Sequence, residues 1–148
     1  MTKDKIKSVM DACYTAKRVR DMLPVLPNGV TSTHIHYLDN IRELENASDR
    51  VKVSQISDVL GLPRPAVTKT IKDMEKLGLI EKSTSQTDGR VVFVKLTEEG
   101  RELIDRYVDR YFGELEQEFA DISDRDADRM IEIIEKFYEV MNRRKKNG

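Results

Sequence analysis

Residues 53–100, VSQISDVLGLPRPAVTKTIKDMEKLGLIEKSTSQTDGRVVFVKLTEEG, leave the chain few ways to fold. Val53, Ile56, Val59 and Leu60 recur at three- and four-residue spacing, as one apolar helix face does, with Ser54 the expected N-cap. Gly61 supplies the positive φ that a helix C-terminus favours. Pro63 and Pro65 bracket a second helix start, where proline is tolerated because first-turn amides have no intrahelical acceptor. Val67, Ile71, Met74 and Leu77 form its inward stripe, and Gly78 ends it. Leu79 and Ile80 then open a strand, residues 83–89 are a polar tip, and residues 91–96 make a second, β-branched strand. Thr97 is placed to cap a further helix, with Glu98 and Glu99 facing its positive end.

Helix, tight turn, helix, hairpin is the order of a winged helix-turn-helix. With the second stripe turned inward, Arg64, Ala66, Thr68, Lys69 and Lys72 point outward. That face is basic, with a hydroxyl and a methyl and no bulky apolar group, which suits phosphates, base edges and thymine methyls. The charge layout agrees. Residues 60–96 hold seven Lys or Arg against four Asp or Glu, whereas residues 97–140 hold six against fifteen. A polyanion is drawn to the first segment and repelled by the second, although the whole chain carries only −1.

The flanks read as helix. Ile6, Val9, Cys13, Ala16, Val19 and Leu23 make one stripe, ended by Pro24 and Pro27. Ile35, Leu38, Ile41 and Leu44 make another, capped by one of Thr31, Ser32 and Thr33. A helix is expected from 98 to about Phe119, and a last one from Ser123 or Asp124 through Met141. These last two are acidic outside and broadly apolar inside, so they need a partner surface, either the N-terminal helix or a second copy of the chain.

Several classes drop out. No apolar run reaches the ~20 residues needed to span a bilayer. The N-terminal segment is mixed in charge and lacks a signal peptide's apolar core, so a cytoplasmic location is expected. The single cysteine excludes an intrachain disulfide and a cysteine-based zinc site. No Gly-rich phosphate loop or nucleophile motif is present, so no enzymatic activity, cofactor or metal is expected. His34 and His36, two apart on a helix, point roughly 200° from each other and cannot share an ion. One is expected at the surface and the other at a ligand cleft or dimer seam. Cys13 is expected as a small buried packing residue.

The residues V53-S-Q-I-S-D-V-L-G-L, P63-R-P-A-V-T-K-T-I-K-D-M-E-K-L-G-L-I and D88-G-R-V-V-F-V-K-L-T-E-E-G100 together resemble the MarR family of bacterial transcription regulators. The resemblance covers about a third of the chain. It implies a mainly α fold with a small β wing: a winged helix-turn-helix lobe over 31–100, and a helical dimerisation region from 1–30 and 101–148 of the single chain 1–148. It also implies a homodimeric repressor on a pseudo-palindromic double-stranded operator, released by a small lipophilic or phenolic effector. By motif, Arg64, Pro65, Ala66, Thr68, Lys69 and Lys72 fall at groove-facing positions. Asp88 and Arg90 are the wing pair, with Asp88 expected to hold Arg90 toward the DNA. Pro63 and Pro65 stand where the family often has small hydroxyl residues, and Gly89 where it often has arginine. A different class, a winged-helix module that binds protein and not DNA, would instead show exposed Leu, Phe or Met over 64–72.

Overall fold

The structure is a computed structural model and describes residues 1–146. The final two residues of the helical region expected over 101–148 lie outside the described residues. The chain divides into two compact units, Met1–Tyr107 and the remainder from Val108.

In the first unit, α1 (Lys3–Asp21) starts at Thr2, whose hydroxyl accepts the Lys5 amide at 3.3 Å. Its apolar stripe is present, yet none of its residues is buried, and Cys13 is exposed where a packed position was expected. A loop containing Gly29, at φ 82°, leads to α2 (Ser32–Ala47). Tyr37, Leu38 and Ile41 of α2 are buried.

A strand that periodicity does not reveal follows. β1 (Val51–Lys52) is two residues long, too short for any alternation to show. α3 (Val53–Leu60) follows it directly and starts two residues earlier than the Ser54 cap predicts, with Lys52 in the cap position. The start is fastened by the Gln55 side chain, whose Oε1 accepts the Lys52 amide at 2.8 Å. Gly61, at φ 61°, ends α3 as expected. In the turn that follows, the Ser57 hydroxyl donates to the Leu62 carbonyl at 2.6 Å. α4 (Arg64–Lys76) begins directly after Pro63 and buries Val67, Ile71 and Met74.

β2 (Ile80–Thr84) and β3 (Val92–Leu96) form the hairpin, paired from Ile80–Leu96 to Thr84–Val92. β1 lies on the other side of β3, giving the antiparallel order β1-β3-β2. Because β1 is so short, the Leu96 amide has no strand on that side of β3 and donates to Glu45 Oε1 of α2 at 2.9 Å. Arg101 grips the other Glu45 oxygen at 2.6 Å, so one carboxylate ties α2, β3 and the next helix. That helix, α5 (Glu98–Ile104), is capped by Thr97, whose hydroxyl accepts the Gly100 amide at 3.1 Å and donates to the Gly78 carbonyl at 2.7 Å. Gly100 lets α5 approach closely: a Cβ there would run into the Leu79 carbonyl and lie 3.3 Å from Leu38 Cδ2.

The helix expected from 98 to about Phe119 runs to Leu115 and changes its winding on the way. After α5 the backbone passes through a π-helical stretch, Asp105–Arg110, then α6 (Tyr111–Leu115), then turns. In the second unit Tyr111 and Phe112 meet edge to face, ring centroids 5.4 Å apart. α7 (Asp124–Lys146) follows Ser123, whose hydroxyl accepts the Asp126 amide at 3.2 Å. It buries no residue, although Met130, Ile131, Ile133 and Ile134 lie along it.

Candidate nucleic-acid interface

α4 is set by its buried stripe. Seating Val67, Ile71 and Met74 in the core fixes which residues face out. Arg64, Pro65, Ala66, Thr68, Lys69 and Lys72 are all exposed. Among residues 64–72 no Leu, Phe or Met is present at the surface.

The hairpin tip is closed by its own polar groups. Ser85 Oγ accepts the Thr87 amide at 3.3 Å, and the Ser85 amide donates to the Val91 carbonyl at 2.9 Å. Asp88 and Arg90 both lie at the exposed tip. Asp88 Oδ1 accepts the backbone amide of Arg90 at 3.0 Å. Asp88 thus shapes the turn that presents Arg90, and the Arg90 guanidinium makes no ion pair among the described residues.

Between α4 and the hairpin runs a groove of about 490 Å³. Of the residues singled out from the sequence, Arg64, Thr68, Lys72 and Arg90 line it together. Pro65, Ala66 and Lys69 lie on the exposed face of α4 outside the groove, and Asp88 stays at the tip. Lys52, Ser54 and Lys82 also line it and were missed. Lys52 belongs to the strand that has no periodic signal. Lys82 alternates with Glu81 on β2, and that alternation could have assigned it to the inner side. Lys82 is joined to Glu75 of α4 at 2.8 Å, a tie between recognition helix and wing. Among the described residues no carboxylate lines the groove, and Glu75 meets it only through Lys82. A wider groove of about 740 Å³ near Glu45, Asp49 and Arg50 carries both signs of charge and offers a phosphate chain less.

Of the two histidines, His34 is the enclosed one. It is buried at the start of α2 in a reciprocal cap: its Nδ1 accepts the Thr31 amide at 3.2 Å, and Thr31 Oγ1 accepts the His34 amide at 3.3 Å. Burial pushes its pKa below the ordinary 6.5, against an opposing pull from Asp73. His36 is exposed, with the Asn40 amide donating to its carbonyl at 2.8 Å. Among the described residues no group of three His, Cys, Asp or Glu could hold a metal ion, and no helix is long and apolar enough to cross a membrane.

Residues 28–91 match the MarR family. The fold is shared with AbsC, a MarR family transcriptional regulator from Streptomyces coelicolor, at TM-score 0.73 and 19% identity over 96% of this chain and 97% of that one. FabT from Streptococcus pneumoniae, solved in complex with DNA, is similar at TM-score 0.59 and 23% identity, covering 94% of each chain. BpsR from Bordetella bronchiseptica, whose DNA binding is regulated by 6-hydroxynicotinic acid, is similar at TM-score 0.66 and 15% identity over 90% of this chain and 98% of that one.

Proposed function

We propose that this chain, whose residues 28–91 match the MarR family, is a regulator of that family and works as a homodimeric repressor that binds a pseudo-palindromic operator and is released by a small effector. The observation that carries the DNA reading is the groove between α4 and the hairpin, where cations converge and no carboxylate intervenes. α4 enters the major groove, with Arg64 and Thr68 toward base edges and Lys69 and Lys72 toward phosphates. Pro65 and Ala66 offer apolar contact to thymine methyls. The hairpin lies beside it, Arg90 presented by the Asp88 turn. With two copies related by a two-fold axis, half-sites sit roughly 10 bp apart, so that both α4 helices meet one side of the duplex.

The second copy is argued from apolar surface. α1 and α7 each bury no residue, and a helix that keeps an apolar face in water lacks its partner. The effector is a small lipophilic or phenolic molecule, by analogy with the regulation of BpsR by 6-hydroxynicotinic acid. The protein works in the cytoplasm, where its operator is. An outward α4 face of Arg, Thr and Lys favours this reading over a protein-binding winged helix.

The test is a titration of a duplex from the protein's own upstream region at two salt concentrations. Binding that weakens steeply with salt is expected, and Arg64→Ala should cost about 1–3 kcal/mol with altered sequence preference. No binding at low salt would sink the DNA reading.

A further inference from the structure

We propose that the groove between α4 and the hairpin seats the sugar-phosphate backbone of one DNA strand, and that Lys52, outside both recognition helix and wing, is its outer clamp. This rests on the DNA reading above and extends it to Lys52, which lies outside the α4 face. A helix in the major groove and a hairpin at the adjacent minor groove leave one strand's backbone to pass between them. That path is the groove. It gathers Lys52 from β1, Arg64 and Lys72 from α4, Lys82 from β2 and Arg90 from the hairpin.

Five cations brought into one groove repel one another unless anions join them. Glu75 neutralises one of them, Lys82, at 2.8 Å. Lys52, Arg64, Lys72 and Arg90 make no ion pair among the described residues. Ile71 and Val91 supply an apolar wall, which keeps the effective dielectric low beside those charges. The Ser54 hydroxyl lines the same groove and can donate to a phosphate oxygen. Lys82 stays with Glu75 and holds the wing at its distance from α4. Lys52, Lys72 and Arg90 take the phosphates, and Arg64 faces the bases.

Lys52 is the informative member, because it is exposed and its position is held through its backbone, by pairing with Phe93 and by the hydrogen bond of its amide to Gln55. Binding of the upstream duplex is followed by fluorescence anisotropy between 50 and 200 mM salt for the full chain, Lys52→Gln, Lys52→Arg and Lys76→Gln. Removing one phosphate contact flattens the slope of log K against log salt by roughly 0.9, so Lys52→Gln should lose about threefold less affinity than wild type across that range. Lys52→Arg should keep the wild-type slope. Lys76→Gln, which takes the same charge from α4 outside the groove, should also keep it. Neutral methylphosphonates placed singly along the duplex should include one that weakens wild type and leaves Lys52→Gln unchanged. If wild type binds and Lys52→Gln keeps its slope, the clamp is wrong and the DNA reading stands. If Lys76→Gln flattens the slope equally, bulk charge replaces the groove as the explanation. If wild type fails to bind at 50 mM, the DNA reading falls and the clamp with it.

Discussion

α4 and α7 are both amphipathic, yet only α4 finds its apolar partners inside its own unit. Val67, Ile71 and Met74 of α4 are buried to within 1% of complete, whereas Ile131 and Ile134 of α7 remain 54% and 49% exposed. Equal periodicity in sequence therefore has two outcomes. In α4 the stripe is answered by α3 and the hairpin, and burying it aims the opposite, basic face. In α7 the stripe is unanswered within its own unit, and its charges are mixed, acidic in the first turn and basic in the last.

The sharpest way to break this contrast is a matched pair, Ile71→Ala and Ile134→Ala. Ile71→Ala should cost about 2–5 kcal/mol of unfolding free energy at any protein concentration, because it leaves a cavity among fixed neighbours. Ile134→Ala should leave dilute protein close to wild type in urea unfolding and raise the concentration at which chains associate, read by sedimentation. Similar losses for both at high dilution would mean that α7 is packed within one chain after all.

A smaller effect is expected at Glu45. Glu45→Ala leaves the Leu96 amide unpaired and frees Arg101, for a cost of about 1–3 kcal/mol. Arg101→Ala, which removes only the half-exposed ion pair, should cost well under 1 kcal/mol. Equal losses in the urea midpoint would shift the weight from the amide to the ion pair.

The smallest is a pH effect at His34. Its folded pKa lies below 6.5, so the unfolded chain binds the proton more readily. The stability that neutral His34 contributes is complete above pH 6.5 and is lost as pH falls through that value toward the folded pKa. Urea midpoints at pH 7.5 and pH 5.5 should therefore drop further for wild type than for His34→Gln. An identical drop in both removes His34 as the cause.

The lobe was legible because its signals are local. Ile56, Val67, Ile71 and Met74, the turn glycine at 61 and the Thr97 cap each act within a few residues and lie where they were expected, whereas Val59 and Leu77 at the helix ends are exposed. What escaped notice is non-local or too short. β1 exists only because β3 pairs with it, and its two residues carry Lys52 into the groove. Glu45 acts on an amide fifty-one residues away. Gly100 looks like an ordinary helical glycine until the Leu79 carbonyl is placed against it. The change to π-helical backbone over Asp105–Arg110 carries no proline or glycine to mark it, and the apolar spacing runs through it unbroken.

The hairpin tip has one more consequence. Ser85 and Asp88 already satisfy three amides of the turn, those of Thr87, Asp88 and Arg90, and the Val91 amide is taken by the Asp88 carbonyl. The conformational freedom of those residues is thus surrendered during folding and not during association. A hairpin of this kind meets a duplex as a finished shape, so its contribution should appear in how long a complex lasts more than in how fast it forms.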